Sequence, residues 1–131
     1  KMQEKVQELG IEEHVRFLGV RSDVADLMQA MDVFVFPSLY EGLPVTMVEA
    51  QAAGLPCIIS DKVPPECILT EGLVDVLPLS AGAETWSEKL FEKRDTPRTD
   101  RRAEIAAHGF DINTEAIKLQ EFYIKAAGEG V

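Results

Sequence analysis

The sequence predicts an α/β protein: a parallel sheet with helices on both faces. Three observations predict it. Short apolar runs at 33–36, 56–60 and 73–77 have the length and the β-branched or aromatic content of buried strands. Stretches with apolar residues at helical spacing alternate with these runs, which calls for right-handed crossovers within one sheet. Ala50, Ala52, Ala53 and Gly54 are small enough to let one helix sit close on that sheet.

The elements follow in order. Residues 1–9 read as a helix ending near Gly10, and Val15-Arg16-Phe17-Leu18 as a first strand. Ser22 or Asp23 can cap a helix whose apolar positions are Val24, Leu27, Met28 and Met31. Val33-Phe34-Val35-Phe36 is the second strand. A helix over 44–53 is stopped by Gly54 and Pro56, and Pro56 to Ser60 form the third strand. A loop with a short helix after Pro64-Pro65 leads to a fourth strand at 73–77. Thr85-Trp86-Ser87-Glu88 has the form of a capping box and opens a helix to about Lys93, with Trp86, Leu90 and Phe91 as core packing. The polar segment 94–100 is the best linker candidate. Helices follow at 98–108 and 114–127, the second capped by Asn113. Two units result: 1–93, and a helical segment 94–131 packing on it.

The most informative stretch is Glu41-Gly42-Leu43-Pro44-Val45-Thr46-Met47-Val48-Glu49. It follows a buried strand and opens a helix, the place where open α/β sheets bind ligands. Gly42 can take positive φ and allows close backbone approach. Pro44 suits the first helical position, which makes Leu43 the N-cap. Leucine accepts no hydrogen bond, so the amides of Val45, Thr46 and Met47 are left to an anion. Glu49 leans back toward the same mouth. Two carboxylates, Glu41 and Glu49, can then grip two separate diols. A lone Glu is more often a solvated surface residue. The pair around an uncapped helix start carries the argument, and Thr46 could weaken it by capping the turn itself.

The Glu41-x7-Glu49 spacing resembles the E-x7-E motif of retaining, nucleotide-sugar-dependent glycosyltransferases, the large family 4 of the usual sequence classification. Its flanks are similar too: Val15-Arg16-Phe17-Leu18-Gly19, Asp32-Val33-Phe34-Val35-Phe36-Pro37-Ser38, Glu49-Ala50-Gln51-Ala52-Ala53-Gly54-Leu55-Pro56 and Ile58-Ile59-Ser60-Asp61. The overall similarity is to bacterial enzymes that build capsular or exopolysaccharide repeat units. The resemblance implies a Rossmann-like fold, the C-terminal, donor-binding half of a GT-B enzyme, whose active site is a cleft between two such domains. It implies that Glu41 is the catalytic-site residue contacting hydroxyls of the donor sugar, not a nucleophile. Glu49 would bind the nucleotide ribose. Gly42, Leu43, Pro44 and Val45 would line the sugar and phosphates, with a hydroxyl from Thr46, and Gly19, Val20 and Arg21 would meet the base. Transfer proceeds with retention from a nucleoside diphosphate sugar, a UDP-sugar by default, with no other cofactor and no metal. The expected partners are that donor, an acceptor-binding N-terminal domain and a lipid-linked acceptor at the membrane surface. The expected location is cytoplasmic, peripheral to the inner face of the plasma membrane. The family's first strand, glycine turn and phosphate-neutralising Arg and Lys are not found before Glu41. The chain is therefore expected to be a fragment that does not turn over by itself.

Composition bounds the rest. The 131 residues make about one domain, and 46% hydrophobic with 27% charged residues is ordinary for a globular chain. A net charge of −10 with scattered Lys and Arg argues against a nucleic-acid binder. It also sits awkwardly with an anionic donor, as cations supplied by upstream residues would explain. Cys57 and Cys67 form no metal or redox motif and read as reduced thiols. His14 reads as a surface residue, His108 as a helix-end residue, and Arg98, Arg101 and Arg102 as a small surface basic patch. Open alternatives are another enzyme on the same fold (an epimerase or a phosphorylase) and a non-catalytic nucleotide- or protein-binding domain.

Overall fold

The computed structural model describes residues 1–128. Its centre is a three-stranded parallel sheet in the order β1 (Phe34–Phe36), β2 (Cys57–Ser60), β3 (Val74–Leu77). Phe34 pairs with Cys57 and Cys57 with Val74; Phe36 pairs with Ile59 and Ile59 with Val76. All four residues of β2 are buried, as a central parallel strand covered on both faces requires.

The helices are α1 (Met2–Leu9), α2 (Val24–Ala30), α3 (Val45–Ala52), α4 (Gly82–Arg94), α5 (Arg102–Ile105) and α6 (Ile112–Gly128). Alternate strand residues face opposite sides of the sheet. Phe34, Phe36, Cys57, Ile59 and Val74 face α3 and share a core with its Met47 and Ala50, and with Met28, Leu55, Val63 and Cys67. Burying a methionine side chain as completely as Met47 is worth about 1.5–3 kcal/mol. Asp75 lies on the opposite face, where α4 places Lys93 against it: Nζ is 3.2 Å from the carboxylate and 3.1 Å from the Gly72 carbonyl. A parallel sheet with helices on both faces is thus the fold the sequence predicts.

The end of α3 is fixed by backbone chemistry. Gly54 N–H bonds the Gln51 carbonyl and Leu55 N–H the Ala50 carbonyl, with Gly54 at φ +64°. This is a Schellman turn, and Leu55 beyond it is fully buried. A Cβ on Gly54 would run into the backbone of Thr99. The 94–100 stretch, expected to be a linker, is therefore a strap laid on the end of α3. Arg98 anchors it, donating to the carbonyls of Met28 and Gln29, each at 2.6 Å, in the last turn of α2.

Five expectations about elements are corrected. Residues 15–18 form no strand: no described strand pairs with them, and Phe17 and Leu18 are about half exposed. Thr85 and Glu88 lie inside α4, which starts at Gly82 without a side-chain cap, so the capping-box pattern was coincidental. Phe91 is 60% exposed, with the Arg94 guanidinium over its ring, and is not core. The helix expected over 98–108 is only α5 followed by a wide turn, Ala106–Phe110, which ends through Gly109 at φ +84°. The cap of α6 is Asp111 rather than Asn113. Its carboxylate accepts from the Thr114 hydroxyl and the Asn113 amide, contacts that also hold Asp111 below the usual carboxylate range.

Candidate functional site

The site grows from the carboxyl ends of β1 and β2. The loop after β1 swings outward, leaving Leu39 and Tyr40 80% and 86% exposed. Ser38 turns inward. Its hydroxyl lies 2.7 Å from Glu41 Oε1 and 3.2 Å from the Tyr40 carbonyl. A hydroxyl has one proton to give, and the shorter, charge-assisted contact to Glu41 takes it. Ser60, fully buried at the end of β2, donates its own hydroxyl to the Ser38 carbonyl at 2.5 Å. The Lys62 amide donates to Ser60 Oγ at 3.3 Å, which orients the hydroxyl toward Ser38. Glu41 is half-buried in this arrangement.

The helix start differs from expectation by one residue. Pro44 is extended (φ −75°, ψ 105°) and is itself the N-cap; α3 begins at Val45. Its carbonyl accepts the Met47 amide at 2.9 Å. Met47 N–H is therefore not available to a ligand. The amides of Val45 and Thr46 make no hydrogen bond among the described residues, and both residues are exposed. Proline at the cap offers no side-chain oxygen, so the Val45 and Thr46 donors and the positive end of the helix dipole face solvent. Thr46 does not cap the turn with its hydroxyl. Gly42 does not adopt positive φ; a Cβ there would meet nothing within 4 Å, so what it supplies is an open approach to the backbone.

Glu49 stands one turn along α3. Met47, Val48, Ala50 and Gln51 around it are buried, and Glu49 is on the exposed face with no ion pair among the described residues. Gln51 locks the opposite face. Its Nε2 donates to the carbonyls of Met47 (3.0 Å) and Cys67 (2.7 Å), and its Oε1 accepts from Leu69 N–H, Thr70 N–H and Thr70 Oγ1 at 2.8, 3.2 and 3.0 Å.

Gly19, Val20 and Arg21 lie together in an exposed loop that makes no hydrogen bond to the 41–46 turn. Arg21 forms a two-pronged pair with Asp23 at 2.5 and 2.7 Å on the exposed surface, raising its own pKa and lowering that of Asp23. The same pairing takes Asp23 away from capping α2. Sequence reasoning missed Ser38, Ser60 and Gln51. A serine at the carboxyl end of each of two adjacent strand runs, Ser60 ending one and Ser38 two residues past the other, was the available signal for the first two.

Over residues 1–90 the sequence matches the family model described as Glycosyl transferases group 1. The chain belongs to that family. It is 38% identical over 126 residues to the "Putative glycosyltransferase EpsF" of Bacillus subtilis (strain 168), covering 94% of this chain and 33% of that protein. It is 40% identical over 121 residues to the UDP-Gal:alpha-D-GlcNAc-diphosphoundecaprenol alpha-1,3-galactosyltransferase of Escherichia coli, covering 89% of this chain and 31% of that one. This group 1 chain thus spans about a third of the length of the curated relatives it matches. A sucrose-phosphate synthase from Thermosynechococcus elongatus superposes with a TM-score of 0.75 at 22% identity, over 98% of this chain and 34% of that structure. That likeness supports the Rossmann-like, GT-B type of fold. No helix among the described residues is long and apolar enough to cross a membrane.

Proposed function

We propose that this group 1 chain is the donor-binding part of a retaining glycosyltransferase of family 4, moving a hexose from a nucleoside diphosphate sugar to a hydroxyl in polysaccharide biosynthesis. The observation that carries the reading is the mouth of α3. The unpaired amides of Val45 and Thr46 suit the diphosphate. Glu41, held by Ser38 on the near side, takes hydroxyls of the sugar. Glu49, one turn on and unpaired, takes the ribose diol. As the sugar leaves, negative charge grows on the diphosphate. Amides already aimed at it strengthen with that charge and need no reorganisation. Glu41 makes its contacts through hydroxyls and is not the attacking group.

A UDP-sugar is the donor of first choice, and an acceptor bound to an undecaprenyl diphosphate fits the names of two relatives. The acceptor side would come from a second domain of the same polypeptide and further cations for the diphosphate from upstream residues of the donor-binding part, with the enzyme peripheral to the inner face of the plasma membrane. The 131 residues alone would not turn over. The observation that bears on the second reading, a non-catalytic nucleotide- or protein-binding domain, is the exposed Arg21–Asp23 pair, which engages a cation otherwise open to the donor.

The test is the stereochemistry of the product. The full-length polypeptide, given an α-linked UDP-hexose and an acceptor, should yield an α-linked product by NMR of the anomeric proton. A β-linked product would contradict retention. Donor binding without transfer to any acceptor would favour the second reading.

A further inference from the structure

The loop that carries Glu41 is tied down at one point. Among the described residues, no hydrogen bond joins residues 37–43 to the rest of the chain except that from Ser60 Oγ to the Ser38 carbonyl. Packing does little to replace it, since Leu39 and Tyr40 stand in solvent and Gly42 and Leu43 are exposed. Ser38 then passes the constraint on through its own hydroxyl to Glu41 Oε1. We propose that Ser60 is a positioning residue for the donor site, setting the Glu41 carboxylate at the sugar through the order Ser60 Oγ–H to Ser38 carbonyl, then Ser38 Oγ–H to Glu41. The inference rests on the reading that Glu41 contacts the donor sugar.

The geometry explains why a serine serves here. Ser60 is the last residue of the fully buried strand β2, so its Cβ is fixed by the sheet, and its side chain has a single rotor. The Lys62 amide holds that rotor from one side, and its proton points at the loop. A carboxylate on a solvent-exposed loop would otherwise sample many positions, and the ordering would be lost from the sugar contact. With the serine chain in place, part of that ordering is done before the donor arrives. Ser60 touches no donor atom in this account, so its removal should be felt by the sugar and not by the nucleotide.

The experiment measures dissociation constants of UDP and UDP-hexose, or the GDP or ADP pair if the wild type binds one of these more tightly, on the full-length polypeptide. The ratio of the two constants isolates the sugar's contribution. Ser60→Ala and Ser38→Ala should each shrink that ratio roughly tenfold, as loss of a charge-assisted contact does, while the affinity for the bare diphosphate stays within about twofold. The double variant should lose no more than either single one, because both lie on one chain. Ser60→Thr, which keeps the hydroxyl, should restore the ratio. Equal losses for diphosphate and diphosphate sugar, or additive losses in the double variant, would overturn the proposal as a general loosening of the fold. If Ser60→Ala does not fold, Ser38→Ala decides, and an unchanged ratio in it overturns the proposal. Glu41→Gln is the control for the underlying reading. If it leaves the ratio unchanged, or if the wild type binds none of the diphosphates, the Glu41 assignment and this inference fall together. If it collapses the ratio while the serine variants do not, only the positioning role falls.

Discussion

Gln51 Oε1 accepts the Thr70 hydroxyl at 3.0 Å, across 19 residues of chain and with both side chains buried. With its four other contacts, this amide satisfies its whole hydrogen-bonding capacity and ties the centre of α3 to the 67–70 segment. Glu49, two residues earlier, is thereby held on the opposite, solvent side. The orientation of the amide is settled by its neighbours: two carbonyls need donors, and three N–H or O–H groups need an acceptor.

Gln51→Leu would keep the volume and strand the Cys67 carbonyl and the Leu69 and Thr70 amides without partners. Each buried unsatisfied group costs about 1–3 kcal/mol, so a loss of about 3 kcal/mol or more in unfolding free energy is expected. Urea denaturation of the two proteins checks it. A loss under about 1 kcal/mol would show that water takes over the amide's role.

Gly54→Ala meets two obstacles at once: a left-handed backbone, φ +64°, and the Thr99 backbone in the space of the new methyl group. The expected cost is about 1–3 kcal/mol, with the strap around Thr99 displaced. Proteolysis should then cut near Thr96–Thr99 in the variant before the wild type is touched. Gly42→Ala, at a position with open space and no positive φ, should leave thermal stability unchanged.

Both cysteines are free and fully buried, and burial pushes the Cys57 thiol up to about 12 and raises that of Cys67. A group whose pKa rises on folding adds stability that is complete below its unfolded value near 9. That contribution is lost as pH climbs from there through the folded value. Stability should hold up to about pH 9 and decline above it. Titration with a thiol reagent at neutral pH should show reaction only as fast as the chain unfolds. Rapid labelling of Cys57 in the native state would contradict its burial.

Glu41 and Glu49 should separate by ligand. Glu41→Gln should weaken a diphosphate sugar and spare the bare diphosphate, and Glu49→Gln should weaken both, each by roughly tenfold where the contact is lost. Calorimetric titration of the two variants tells them apart. Thermal stability should not change in Glu49→Gln, whose side chain pairs with nothing in the described residues.

The parts of this molecule legible in sequence were those written in local pattern. Strands 33–36, 56–60 and 73–77 were found because an apolar run bounded by Pro, Gly or Ser has few other readings. The stop at Gly54 was found because its position demands a residue that tolerates positive φ. Residues 15–18 have the same composition as a strand but lack a described neighbour to pair with, and composition cannot report a neighbour. The capping of α2 was misjudged because an ion pair between Arg21 and Asp23, two residues apart, outcompeted the side-chain cap. The helix start slipped by one residue because Pro44 can serve as N-cap as well as first helical residue. That slip costs one of three expected free amides, Met47, and leaves two. Ser60, Ser38 and Gln51 act across 16 to 22 residues of chain, which no periodicity encodes.

The central claim is that the mouth of α3 holds a nucleoside diphosphate. The direct measurement is isothermal titration of the wild-type chain and an upstream-extended form with UDP, GDP and ADP, each beside Glu49→Gln. The account predicts that one diphosphate binds selectively, more tightly in the longer form, and that Glu49→Gln weakens it roughly tenfold without altering stability. Binding by neither form, or binding indifferent to Glu49, would contradict it.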